Sequence, residues 1–275
     1  MDATWIITAF VVIDTLMERL GHRSDVRAKV PDSEILTIAV VAAKYVGSHH
    51  ERAVQIMHGC GYLSGRISVS HFNRRLHQLA DWMVWIPDVL GEVFTTGDVF
   101  IIDSLPLPVC RRVRARRCRK APGREFCGYC AAKREKFFGW RVHLVCRPDG
   151  VPVRVQMLPA GVHDLPPVHE LAYGLPAGAR LLGDKAYNSA ADEASILAET
   201  GVRLVPVRRA NMRPHAGFMD DIELRAYRHT IESVNSQLEK MGAGRLTAGA
   251  NAGFDLKVHA TLIALICTNM NQQSR

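Results

Sequence analysis

Three acidic residues are spaced as a phosphodiester-cutting metal site would need them. Asp103 ends the apolar run Val99-Phe100-Ile101-Ile102, and Asp184 ends Ala179-Arg180-Leu181-Leu182-Gly183. Glu232 lies in the helical segment Arg228-His229-Thr230-Ile231-Glu232. A carboxylate at the end of a buried strand faces the rim of a sheet. Two such strands and one helix can gather three carboxylates around Mg²⁺, a hard ion that takes oxygen ligands. Two such ions activate an attacking oxygen and stabilise a leaving one. Each acid also fits a plainer role: a turn at Asp103, a cap at Asp184, a solvated helix face at Glu232.

Neighbouring residues add candidates. Arg228 stands four residues before Glu232 and shares its helix face, either as an ordinary ion pair or to orient Glu232 and grip a phosphate. Lys185 and Tyr187 place a cation and an aromatic next to Asp184. His163 and Asp164 follow another strand at the same expected rim, although Asp164 fits equally well as a helix cap.

These groups need a scaffold, and the 275 residues suffice for one large domain or two smaller ones. Residues 1–95 read as helical. Pro31-Asp32-Ser33-Glu34 opens a helix, a short one around Glu51 to His58 stops at Gly59-Cys60-Gly61, and another runs from Ser68 to His77. This is the pattern of a helix-turn-helix DNA-binding domain, with Asn73, Arg74 and Arg75 as contact candidates, or of a scaffold bundle. From residue 96 to 275 the period changes. Val99 to Ile102 is a strand, and residues 140–146 and 151–157 alternate around Pro148-Asp149-Gly150 as a hairpin. Helix, strand, helix, strand, helix and a final helix over residues 254–268 follow. The fold class is α/β, a mixed sheet flanked by helices and preceded by an all-α domain.

The charge is +8 with a pI near 9.3, which favours a polyanionic partner. The longest apolar stretches, Trp5 to Ile13 and Leu262 to Cys267, are too short to span a bilayer. With no secretion signal and seven irregularly spaced cysteines, a cytoplasmic protein with reduced thiols is expected. A basic insertion occupies about residues 111–138. Between 111 and 136 it holds eight Arg and three Lys against Glu125 and Glu135, a surplus of nine. Its phosphate-contact candidates are Arg111, Arg112, Arg114, Arg116, Arg117, Arg119, Lys120, Lys133 and Arg134, which make a DNA clamp or a solvated loop. Phe126, Tyr129, Phe137 and Phe138 either stack on bases or tuck onto the sheet. Cys127 and Cys130 have zinc-ligand spacing, but Cys110 and Cys118 do not complete a second pair, so structural zinc is not expected.

Motifs along nearly the whole chain resemble a bacterial insertion-sequence transposase of the DDE type, closest to the insertion-sequence-982 group among the insertion-sequence-4 and -5 relatives. They are Asp32-Ser33-Glu34 with Leu36-Thr37-Ile38-Ala39; Phe72-Asn73-Arg74-Arg75; Ile102-Asp103-Ser104 through Cys110; Ala132-Lys133-Arg134; Gly161-Val162-His163-Asp164; Gly183-Asp184-Lys185-Ala186-Tyr187; and Arg228 through Glu232. The resemblance implies a ribonuclease-H-like catalytic domain with Asp103, Asp184 and Glu232 as the metal-binding triad. It also implies two Mg²⁺ ions, with Mn²⁺ able to substitute. The expected partners are double-stranded DNA, as terminal inverted repeats and as target, and a second copy of the chain in a homodimer on DNA. One departure stands out. The related signature has Tyr three residues before the Arg and Lys seven after the Glu, where this chain has Arg225 and Glu239. Tyr227 and Lys240 lie close by but out of step, and on a helix a shift of one residue turns a side chain by about 100°.

Overall fold

Every residue from Ile35 to Ala43 is buried, and the only polar one, Thr37, returns its hydroxyl to the Ser33 carbonyl at 2.7 Å. A helix that is apolar all round needs neighbours all round. In the computed structural model helix α2 (Asp32–Val46) has them: α1 (Ala3–Arg19), α3 (His50–Gly59), α4 (Val69–Gln78) and α9 (Asn251–Gln273) pack around it. Helix α9 is similarly enclosed, with residues 260 to 269 all buried. The structure describes residues 1–118, 121–131, 133–208, 212 and 218–273.

Two compact units result. One comprises Met1–Pro87 with Gln237–Arg275, the other Asp88–Ser236. The boundary expected after residue 95 therefore differs from the structural one. The final helix belongs with the N-terminal helices, because its apolar surface completes the enclosure of α2. Helix α5 (Ala80–Phe94) carries the chain from the first unit to the second.

The second unit is built on a mixed sheet of β1 (Val99–Cys110), β2 (Cys127–Cys130), β3 (Glu135–Cys146), β4 (Pro152–Pro159), β5 (Arg180–Gly183) and β6 (Arg203–Pro206). Strand β3 pairs antiparallel with β1 on one edge, and with both β2 and β4 on the other. Strands β1, β5 and β6 are parallel. The β3–β4 hairpin turns as the sequence indicates, with Gly150 at φ 83° donating its N–H to the Arg147 carbonyl at 2.9 Å. One face of the sheet packs Phe100, Ile102 and Leu181 under α6 (Pro166–Tyr173) and α7 (Ala190–Thr200). On the other face Val99, Leu182 and Val205 meet Leu224 and Tyr227 of α8 (Phe218–Lys240).

One expected strand end moves. Strand β1 continues past Asp103 for seven residues, pairing with β3 through Cys110. Pro106 and Pro108 occupy alternate positions within it. Beyond Ile101 the ladder to β5 has ended, so that edge is open and a missing N–H there costs no ladder bond. The rim that Asp103 faces is the end of β5.

Candidate active site

Alternation along β1 puts Val99, Ile101 and Asp103 on the α8 face of the sheet. The parallel register pairs Ile101 with Leu182, the last pair of that ladder; Asp103 and Asp184 each lie two residues beyond it, near enough for the Asp184 charge to act on Asp103. The two carboxylates thus leave neighbouring strands on one face. Burial pushes the Asp103 carboxyl up to about 6, and the negative fields of Asp184 and Asp164 add to the rise. The Ser104 N–H and the Asn235 amide donate to it and oppose the rise. Asp184 is exposed and accepts the Ala186 N–H at 2.7 Å, the cap of the short 3₁₀ turn Lys185–Tyr187. Gly183 precedes it because the Tyr187 ring fills its side-chain space: a Cβ there would stand 2.7 Å from the ring.

Helix α8 lies over this face. Ile231, Val234 and Leu238 form its buried stripe. Arg228, Glu232 and Asn235 follow one another at helical spacing on an adjoining stripe. Asn235 Nδ2 donates to Asp103 Oδ2 at 2.6 Å. Glu232, three residues earlier, is about one turn from that contact. Its carboxylate accepts from Arg228 Nε at 2.9 Å, and both side chains are exposed. The plainer reading of this pair, an intrahelical ion pair, is therefore what the structure contains. Sequence reasoning missed Asn235. The available signal was its place three residues after Glu232, a polar group beside the apolar stripe.

Asp164 does not cap α6. The N-cap position is Leu165, with no side-chain bond. The carboxylate is instead held by Arg141 Nη1, at 2.9 Å to Oδ1 and 3.2 Å to Oδ2. Arg141 also donates to the Tyr129 carbonyl at 3.0 Å. His143, two residues along β3, is fully buried with Nδ1 4.0 Å from Asp164. Burial, opposed by Asp164, drives its pKa down to about 4. Arg141 and His143 were legible only as the polar side of an alternating strand, but α6 and its leading loop cover that side. Tyr187 is buried near all three aspartates, and burial together with their charge holds its phenol protonated. His163 is exposed. Lys185 is exposed next to Asp184.

The described part of the basic insertion contains regular elements. Arg112–Arg117 form a 3₁₀ helix with no buried residue, so Arg111, Arg112, Arg114, Arg116 and Arg117 are all exposed. Lys133 and Arg134 are exposed as well, and Arg119 and Lys120 lie outside the described residues. Phe126, Phe137 and Phe138 are buried, and Phe126 meets Trp140 edge-on at 4.8 Å, so three of the four aromatics tuck onto the sheet. Tyr129 is exposed. Strand β2 alternates, which sets Cys127 and Cys130 on opposite faces. In the helical unit Arg74 is exposed, while Asn73 bonds His50 at 2.8 Å and Arg75 is tied to Asp32 at 2.5 Å.

Among the described residues no group of three His, Cys, Asp or Glu side chains stands close enough to hold a metal ion, and no helix is long and apolar enough to cross a membrane. The pair of aspartates nevertheless suits a hard divalent cation. Both offer carboxylate oxygens, and beside the burial that chiefly raises the Asp103 carboxyl, the charges of Asp184 and Asp164 add a negative field that a cation would relieve. Residues 94–246, more than half of the chain, match a protein family described as a transposase DDE domain. That span contains Asp103, Asp184 and Glu232. No curated protein and no solved structure matches the chain.

Proposed function

The chain belongs to the transposase DDE family, and on that premise we propose that Asp103, Asp184 and Glu232 form the site at which it cuts and joins DNA. The observation that carries the reading is that Asp103 and Asp184 each lie two residues past the last paired position of adjacent parallel strands, while Asn235 of α8 holds Asp103, with Glu232 about one turn and Arg228 about two turns earlier on the same helix. The strand sequence β4-β3-β1-β5-β6, antiparallel and then parallel, with α8 across one face, supports a ribonuclease-H-like fold. Membership of an insertion-sequence-982-like group, with terminal inverted repeats as the DNA bound, belongs to the same proposal.

Asp103 and Asp184 would hold Mg²⁺, with Mn²⁺ able to replace it, and Glu232 would complete the set on leaving Arg228. Bound divalent ions supply an activated oxygen nucleophile and charge stabilisation for the leaving oxygen. Asn235 holds one Asp103 oxygen and the Ser104 N–H the other, which fixes the carboxylate's orientation. Arg228, once released from Glu232, presents its guanidinium to a phosphate. Arg141 neutralises Asp164, limiting the like charge near Asp103. In the first step water oxygen bonds to phosphorus and the 3′-oxygen leaves as a hydroxyl. In the second, that hydroxyl attacks a target phosphodiester and displaces the target's own 3′-oxygen. Joining two ends calls for two such sites, hence a homodimer on DNA, acting in the cytoplasm. Incubating the protein with pre-cut terminal DNA, a plasmid and Mg²⁺ tests this. Joined product is expected, and cleavage without joining would leave a nuclease in its place.

A further inference from the structure

Two arginines stand directly opposite each other on neighbouring strands. Arg180 opens β5, Arg203 opens β6, and the parallel register pairs them. Their backbones begin the two ladders: the Arg180 N–H donates to the Asp98 carbonyl at 2.7 Å, and the Arg203 N–H to the Ala179 carbonyl at 2.8 Å. Residues two apart on a strand share a face, so both arginines face α8 together with Leu182 and Val205. Like charges directly opposite each other weaken a sheet. Two acids of α8, one turn apart, answer them. Arg203 forks onto Asp220 at 2.6 Å and 2.9 Å, and Arg180 bonds Glu223. The Asp220 side chain is 2 % exposed and that of Glu223 16 %. Arg180 also reaches the Asp98 carboxylate at 3.4 Å.

The apolar part of the α8 contact does not by itself fix the helix lengthwise. Leu224, Tyr227, Ile231 and Val234 recur every three or four residues. A slide by one turn would set each of them near the place of the next. Such a slide, about 5.4 Å, would part Asn235 from Asp103 and carry Glu232 along with it. Thr230 resists it with one bond, to the Pro148 carbonyl of the hairpin turn at 3.0 Å. The arginines resist it more specifically. A guanidinium fork has a fixed geometry toward a carboxylate. Holding two acids of one helix from two strands at once leaves α8 a single register.

We propose that Arg180 and Arg203 are positioning residues for the DNA-cutting site. By gripping Glu223 and Asp220 they set the register of α8, which delivers Asn235 to Asp103 and keeps Glu232 about one turn from that contact. They act through the helix and not on the reacting atoms. The proposal rests on the reading of Asp103, Asp184 and Glu232 as that site. It ties the helix that bears Glu232 to the strand that leads into Asp184.

The test compares the full-length wild type with Arg180→Gln/Arg203→Gln/Asp220→Asn/Glu223→Gln, in which all four charges go together and no ion is stranded. Two readouts are taken on folded protein. The first is the Asn235 side-chain amide in ¹⁵N–¹H spectra, assigned with Asn235→Ala; in the variant it should move toward the position of a free amide. The second is single-turnover cleavage of saturating terminal DNA in Mg²⁺, which should fall by about 10- to 100-fold with duplex affinity kept. Arginines that only added stability would lower the folded fraction and move neither readout. An unmoved amide overturns the proposal, and so does cleavage at the wild-type rate. If that variant fails to fold, Arg180→Lys/Arg203→Lys decides by the same two readouts, because it keeps both charges and loses the fork. The two readings fail separately. A wild type that neither cuts nor joins DNA, with an amide that moves in the variant, removes the site reading and keeps the arginines' hold on α8. A wild type that cuts and joins, with a variant that matches it, does the reverse.

Discussion

Asn235 donates its side-chain amide to Asp103 across 2.6 Å, tying α8 to β1 at the first residue past the apolar run Val99–Ile102. Hydrogen bonds to a charged acceptor contribute about 1.5–3 kcal/mol. Asn235→Ala should therefore lower Mg²⁺-dependent cleavage of terminal DNA by about 10- to 100-fold while leaving duplex affinity unchanged. Wild-type cleavage by this variant would show that the contact does not set the carboxylate.

Glu232 gives a cleaner separation of stability from chemistry. Its pairing with Arg228 is exposed, so Glu232→Gln should shift folding stability by less than about 0.5 kcal/mol. Cleavage should nevertheless fall by about 100-fold, equivalent to about 2.7 kcal/mol on the barrier. Denaturant unfolding and single-turnover cleavage on the same preparation measure both. Full cleavage activity would remove Glu232 from the site.

Asp103 should govern the pH dependence of metal-free stability. Its carboxyl is raised from 3.8 to about 6 in the fold. A raised acid favours the folded state fully below its unfolded value, and that contribution disappears as pH climbs through the folded value. Above about pH 6 the ionised group therefore costs about 3 kcal/mol. Asp103→Asn keeps an acceptor for Asn235 and carries no charge. In EDTA the variant should be more stable than wild type near about pH 7.5, and the gap should close toward about pH 4. A gap of constant size across that window contradicts the assignment.

Arg141 and Asp164 are both largely buried, at 14 % and 18 % side-chain exposure. Removing only the cation strands a carboxylate close to Asp103. Arg141→Ala should destabilise by about 2–3 kcal/mol, and Arg141→Ala/Asp164→Ala by clearly less. Chemical denaturation of wild type, both single variants and the double variant completes the cycle. A double variant no better than Arg141→Ala would mean that packing, not charge, dominates.

The basic insertion makes its own prediction. Changing Arg111, Arg112, Arg114, Arg116 and Arg117 to Gln should weaken duplex binding and lower the salt slope by up to about 4.5. These residues are exposed on a 3₁₀ helix with no core of its own, so the fold should survive. Binding with an unaltered slope would reduce the segment to a solvated charged surface.

Periodicity carried the sequence reading far in the second unit. The alternation of residues 140–146 and 151–157 matched the β3–β4 hairpin, and the runs ending at Asp103 and Asp184 matched neighbouring parallel strands. What escaped was long-range. The strand expected over Val99 to Ile102 runs on to Cys110, because pairing with β3 extends it past the apolar run and nothing local shows that one edge is open. Helix α9 read as part of the catalytic domain because burial on all sides names no partner. Asp164 looked like a cap because its neighbour Arg141 lies 23 residues earlier. The contact of Asn235 with Asp103, 132 residues away, is set only by the docking of α8.

The nesting of one unit inside the other inverts the order of maturation. Every strand and covering helix of the sheet has been translated by Ser236, or nearly so, whereas α2 gains its last wall only when α9 emerges. During synthesis the first-made helices must wait with bare apolar flanks while the later-made sheet is already able to close. A premature stop within the codons of α9 would spare all three proposed catalytic acids. It would still leave the nascent helical bundle open, so abundance of intact protein depends on completing α9.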